Sequence, residues 1–176
     1  MSGKQRVIMS SVDIDLAIRR IALQVLEKNH DARGLAIVGI YTCGVDVARR
    51  IHRIIEKHAA QPVPFGSLDI NLYRDDWSLI SQNPVVKTTD LPFEVDNTNL
   101  ILVDDVIFTG RTIRAAMDAI MDYGRPETIQ LAALVDRGGR ELPIQPDFVG
   151  MTTIIQANER IKVLLAGDDG EVVVAS

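Results

Sequence analysis

The chain has 176 residues, 47% hydrophobic and 24% charged, which is the range of a globular domain with a proper core. A net charge of −5 and a pI near 5.2 exclude a global basic footprint for nucleic acid, although a local basic patch stays open. A single cysteine, Cys43, excludes an internal disulfide, and no apolar run approaches the ~18 residues of a membrane span, so a reducing cytoplasm is the expected setting.

Residues 1 to 10 read as a loose arm or a short edge strand, and the basic start is followed by no apolar signal core. Ser11 or Asp13 is expected to cap a helix to about Asn29, with Ile14, Ile18, Ile21 and Val25 at helical spacing. Leu35 to Ile40 is a buried strand. Tyr41, Thr42, Cys43 and Gly44 make a tight loop, and Val45 to His58 a helix. Such strand–loop–helix units favour a parallel sheet with crossover helices. Cys43 beside a helix N-terminus invites a nucleophile reading, because that position lowers a thiol pKa. No histidine lies near it in sequence, and an inert thiol is the expectation.

Pro62 to Gly66 connects to a strand from Ser67 to Tyr73. Arg74 then opens a long polar stretch to about Asp90 with no clear period. Loops of that length inside a compact domain are usually functional or mobile. The four apolar residues Leu100, Ile101, Leu102 and Val103 mark a strand buried on both faces. Asp104 and Asp105 are expected to end it. Val106, Ile107 and Phe108 lead to the polar loop Thr109, Gly110, Arg111 and Thr112, and an amphipathic helix carries Ile113, Ala116, Met117, Ile120 and Met121 on one side. That order places backbone N–H groups and a helix N-terminus around a phosphate, with two acids beside the group attached to it. A hydroxylated sugar with Mg²⁺ would suit those acids. A Walker B strand is the rival reading, but no P-loop sequence occurs in the chain.

Gly124 and Pro126 stop the helix, and Thr128 to Val135 is another buried strand. Its charged, glycine-rich continuation, Asp136 to Pro143, falls where a parallel strand meets the ligand crevice. Asp147 to Gly150 leads into a final region. There Ile161–Leu165 and Glu171–Ala175 flank a Gly-Asp-Asp-Gly hairpin signal.

The thirteen residues from Leu100 to Thr112 resemble the motif that binds phosphoribosyl pyrophosphate (PRPP) in type I phosphoribosyltransferases. Leu-Tyr-Arg-Asp-Asp at 72–76, Gly-Arg-Pro at 124–126, Leu-Val-Asp-Arg-Gly at 134–138 and Arg-Glu-Leu-Pro-Ile at 140–144 narrow the likeness. Together they are similar to the PyrR family, over roughly residues 12 to 165.

The resemblance implies an α/β fold: a mostly parallel twisted sheet flanked by helices, in a single domain over residues 1–176 with a small hood from the terminal segments. It implies uracil phosphoribosyltransferase activity, uracil and PRPP giving UMP and pyrophosphate with Mg²⁺. Asp104 and Asp105 would take the ribose hydroxyls and the metal. Thr109 to Thr112 would cradle the 5′-phosphate, and Thr42, Cys43 and Gly44 would hold pyrophosphate. Arg74 and Arg137 are the candidate pyrophosphate cations, with Asp76 a further loop contact. Val135, Asp136, Arg137 and Ile144 would contribute to a hood over uracil.

The family's pyrophosphate loop usually reads Thr-Arg-Gly, so Cys43 removes an expected cation and predicts a weak enzyme. The family also binds its operon's leader mRNA as a dimer or tetramer under uridine-nucleotide control. Here the related Arg-Gly-His-Arg segment carries Gly139 in place of histidine. The competing expectation is therefore a nucleotide-sensing regulator without turnover. A transferase for another base, such as a purine, is the more distant one.

Overall fold

The computed structural model describes residues 5–30, 32–75 and 87–176. The element order is β1 (Gln5–Met9), α1 (Ser11–Lys28), β2 (Leu35–Ile40), α2 (Cys43–His58), β3 (Phe65–Leu68), a 3₁₀ turn (Asn71–Tyr73), β4 (Asn99–Ile107), α3 (Arg111–Met121), β5 (Thr128–Asp136), β6 (Phe148–Thr152), β7 (Arg160–Ala166) and β8 (Asp169–Ala175).

β2 and the apolar stretches of β4 and β5 read as unbroken runs because both of their faces are covered. They belong to a five-stranded parallel sheet of order β3-β2-β4-β5-β6. Ile37, Ile101, Val103 and Leu134 pack on one face with Ile14, Ile21, Ile51 and Ile55 of α1 and α2. Val38, Leu100, Leu102 and Ala133 pack on the other with Ile113, Ala116 and Ile120 of α3. The chain leaves β2 for β3 on one side and then crosses to β4 on the other. The sheet therefore has its topological switch between β2 and β4, where a crevice opens outside the strand ends.

The two chain ends build a second, three-stranded antiparallel sheet of order β1-β8-β7. The β7–β8 turn is fastened to α2 by Arg50, whose Nη2 donates to the carbonyls of Gly167 and Asp169, each at 2.7 Å.

Five local expectations change. The α1 cap is Ser10, neither Ser11 nor Asp13. Ser10 and Asp13 form a reciprocal capping box, with Ser10 N–H donating to Asp13 Oδ2 at 2.8 Å. α2 begins at Cys43, two residues earlier than the periodicity suggests. β3 is shifted to Phe65–Leu68, because buried Asp69 takes the amides of Asn71 (2.9 Å) and Lys87 (2.5 Å) and interrupts the ladder. β4 continues through both acids to Ile107, because β5 offers partners beyond them: Asp104 lies opposite Ala133, and Ile107 opposite Asp136. β6 also extends the sheet where the sequence showed only a lead-in.

Candidate active site

The acidic pair sits where the alternation of β4 slips: Ile101 and Val103 pack on the α2 side and Leu100 and Leu102 on the α3 side, but beyond the acids Val106 packs on the α2 side and Ile107 on the α3 side. Asp104 lines a cavity with the start of α3, and Asp105 is the charge that acts most on Cys43 of α2. Each carboxylate turns back on the backbone. Asp105 N–H donates to Asp104 Oδ1 at 2.9 Å, and Val106 N–H to Asp105 Oδ1 at 2.8 Å. Asp104 is only 5% exposed. Burial first, and then the neighbouring Asp105 charge, push its pKa well above the usual carboxylate range, with Arg74 pulling the other way. The site thus keeps a poorly solvated carboxyl beside a cation at the strand end.

The loop after β4 turns through Gly110 at φ +92° into the N-terminus of α3, where no side chain caps the helix. The amides at this helix start form an anion cradle of the kind helix dipoles favour. Thr109 Oγ1 accepts from Arg111 N–H at 3.3 Å and shapes the loop. A cavity of about 350 Å³ opens here, and its walls include Arg74, Asp104, the Thr109–Thr112 loop and Glu141. That size suits a small ligand.

The loop after β2 closes the other side. The Tyr41–Thr42 peptide is cis, and Thr42 caps α2 without a side-chain hydrogen bond. Gly44 does not serve as a left-handed turn residue. It is needed for close approach: a Cβ there would lie 2.9 Å from the Val103 carbonyl oxygen and 3.1 Å from Asp104 Oδ1. The loop and the acidic pair are therefore in van der Waals contact. Cys43 Sγ reaches the Val163 carbonyl of β7 at 3.6 Å. Burial, and then the charges of Asp105, Asp46 and Asp104, push its thiol up. The helix N-terminus does not prevail here, so the thiol rests neutral and is a poor nucleophile.

The other expected site residues lie on the adjoining segments. Arg74 and Phe108 line the cavity, and Arg137 is stacked on Phe108. Its guanidinium lies 3.8 Å from the Phe108 ring centroid, and its buried Nε has no hydrogen-bond partner among the described residues. Val135 is fully buried within β5, which leaves only its backbone available to a ligand. Asp136 braces the following loop by accepting from Gly138 N–H at 2.9 Å and from Arg140 Nη2 at 2.7 Å. Burial pushes Asp136 up, but these two bonds outweigh it and hold the carboxyl below the usual range. Ile144 packs beside Gly110 on the phosphate-type loop. Asp76 lies outside the described residues.

Sequence reading missed the clamp on Arg111. Its Nη1 meets Asp75 Oδ2 at 2.5 Å and its Nε meets Glu141 Oε2 at 2.6 Å. These two carboxylates, Glu141 foremost, hold its charge more firmly. The backbone completes the link, with Glu141 and Leu142 N–H groups donating to the Thr109 carbonyl at 2.9 and 3.2 Å. The loop after β4, the segment after β5 and the start of the long 74–90 connection thus meet at one guanidinium. No local signal reveals a pairing across 30 or 36 residues.

Comparison with known proteins agrees with this geometry. The family model described as phosphoribosyl transferase domain matches residues 11–165. The Bifunctional protein PyrR of Syntrophobacter fumaroxidans is 50% identical over 165 residues, covering 94% of this chain and 89% of that one. Those of Thermus aquaticus and Deinococcus radiodurans are 48% and 46% identical, over 93% and 97% of this chain and 91% and 93% of theirs. The chain belongs to the PyrR family. Its fold is that of the type I phosphoribosyltransferases. A Bacillus anthracis hypoxanthine-guanine phosphoribosyltransferase superposes with a TM-score of 0.69 at 14% identity, over 97% of this chain and 99% of that one. A Trypanosoma cruzi hypoxanthine phosphoribosyltransferase does so with 0.73 at 15% identity, over 99% and 96%. At such identities the likeness concerns the fold alone. Among the described residues no helix is long and apolar enough to cross a membrane.

Proposed function

We propose that this protein transfers the phosphoribosyl group of PRPP to uracil, in the manner its family membership suggests. The observation that carries the reading is the single cavity wall that joins Arg74, Asp104 and the Thr109–Thr112 loop. In the reaction the bond from ribose C1′ to uracil N1 forms, the bond from C1′ to pyrophosphate breaks, and the N1 proton leaves. Positive charge builds on the ribose and negative charge on the leaving group, so fixed charges and dipoles should supply most of the rate.

Asp104 and Asp105 would hold the ribose hydroxyls. The amides of Thr109 to Thr112 would anchor the 5′-phosphate, making the displacement effectively intramolecular. Arg74 is the pyrophosphate cation that the cavity favours. Lys87 is a second: its ammonium lies 5.7 Å from the ring centroid of Tyr41, next to the loop where Cys43 replaces arginine. Backbone groups of the 136–144 segment would read the uracil edge. Among the described residues no cluster of three metal-ligating side chains exists. Two adjacent carboxylates nevertheless fit Mg²⁺, which is commonly held by one or two carboxylates and substrate oxygens. Bound with PRPP, Mg²⁺ would offset the pyrophosphate charge.

The test is UMP formation from uracil, PRPP and Mg²⁺, with hypoxanthine as the competing base. UMP formation supports the reading, and inosine monophosphate instead refutes the choice of base. A regulator without turnover is the second reading, favoured by the neutral Cys43 thiol in the pyrophosphate loop. Tight UMP or PRPP binding with no product identifies it. Binding of the operon leader mRNA, as a homodimer or tetramer, belongs to both readings. A gel shift that weakens steeply with salt would establish it, since phosphate contacts release counterions.

A further inference from the structure

Two connected hollows lie on the outer surface of α2 and share no lining residue with the catalytic cavity. One, of about 640 Å³, is walled by Arg49, Arg53, His52 and Phe65. The other, of about 480 Å³, is walled by Arg49, Arg50 and Arg53, by Asp46, and by the hood turn at Gly167 and Asp168. Arg49 and Arg53 belong to both.

The sequence places Arg49, Arg53 and Lys57 one turn apart along this surface. Like charges at that spacing repel one another, so the stripe weakens its own helix. It spans roughly 12 Å at the helical rise. Carboxylates offset it only loosely. Arg53 pairs with Asp168 at 2.8 Å, but that side chain is 84% exposed, so the pair is open to exchange. Glu56 is already engaged by the Val63 N–H at 2.5 Å.

The second observation concerns Arg50. Its side chain is 8% exposed and its Nη2 is committed to the hood turn. Nη1 is buried without a hydrogen-bond partner, its nearest carboxylate being Asp15 at 3.9 Å. Arg50 therefore adds a buried positive charge behind the hollow it lines, with Nη1 turned to the Asp15 side. The adjoining hollow supplies a stacked corner, where the His52 and Phe65 rings lie 5.2 Å apart at 57° and the Arg49 guanidinium lies 5.1 Å from the Phe65 centroid.

We propose that this surface is a second ligand site, in which Arg53, backed by the buried charge of Arg50, takes the polyphosphate chain of a nucleoside di- or triphosphate, and its base stacks at the Arg49–Phe65–His52 corner. Arginine forks bind phosphate oxygens two at a time, and the combined space is of nucleotide size. The inference stands apart from the transfer reaction, because neither binding arm needs uracil or turnover.

The experiment is calorimetric titration of the full chain with inorganic tripolyphosphate and, separately, with UTP. Both titrations are repeated in Arg111→Ala, which weakens the catalytic phosphate loop, and in Arg111→Ala with Arg49→Ala and Arg53→Ala added. Circular dichroism monitors folding. Tripolyphosphate binding that survives Arg111→Ala and falls at least tenfold on adding the α2 substitutions supports the site. Binding lost with Arg111→Ala alone, or indifferent to Arg49 and Arg53, overturns it. UTP should bind at least tenfold more tightly than tripolyphosphate, and equal affinities overturn the nucleotide assignment.

Discussion

Replacing Asp104 by asparagine should make this protein more stable and far less active. The carboxyl is 5% exposed and accepts the Asp105 amide at 2.9 Å. Asparagine has nearly the same shape and can accept that bond through its carbonyl oxygen. The change therefore removes a poorly solvated charge and its repulsion with Asp105, and leaves the packing in place. Relieving one such group is worth about 1 kcal/mol, on the scale of an uncompensated buried polar atom. For a chain of this length, that is a rise in melting temperature of roughly 2–4 °C.

The sign of the pH dependence is diagnostic. Because the folded-state pKa of Asp104 is raised, the native wild type holds its proton more tightly than the unfolded chain. Wild-type stability therefore falls as pH rises from the unfolded value, about 3.9, to the folded one. The asparagine variant carries no such loss. Its advantage should be absent in acid, grow across that window, and stay constant above it. Urea melts at several pH values, with the m-value checked for constancy, measure this. A variant less stable than wild type at pH 8, or an advantage independent of pH, would refute the argument. Transfer should meanwhile fall about 10²–10³-fold, the cost of losing one preorganised electrostatic contact.

Two further substitutions probe the pyrophosphate side. Gly44→Ala drives a Cβ against the Val103 carbonyl and Asp104, and backbone cannot yield as a side-chain tip does. Denaturant melts should show a loss of about 1–3 kcal/mol, and kcat/KM for PRPP should fall about tenfold, since displacement of a loop by a fraction of an ångström is felt in catalysis. Wild-type values of both would show that the loop is not seated on the acids. Cys43→Arg should raise kcat/KM about tenfold by restoring a cation. If Lys87 already supplies part of that charge, Lys87→Met should lower activity in wild type and matter much less in the Cys43→Arg background. Strictly additive effects would dissociate the two positions.

Much of this protein is written in local runs of residues. Six buried positions in β2 and the apolar start of β4 identify a covered parallel sheet, because only strands with both faces packed can be apolar throughout. The acids, glycine and threonines from Asp104 to Thr112 are contiguous, so the sugar-phosphate chemistry proposed for them could be read from order alone. What the tertiary structure decided depends on residues distant in sequence. β4 runs past its acids because β5 offers partners there. The Cys43 thiol is pushed up by burial first and then by the charges of Asp105, Asp46 and Asp104, whereas a lone helix N-terminus would have lowered it. Arg137 stacks on Phe108 of the cavity wall, and Arg111 is clamped by Asp75 and Glu141 from two other segments. Periodicity and motif report which residues share a strand or a turn. Burial, charge proximity and orphaned donors arise only when separate segments are packed together, and these set the electrostatics of both the catalytic cavity and the arginine-lined surface of α2.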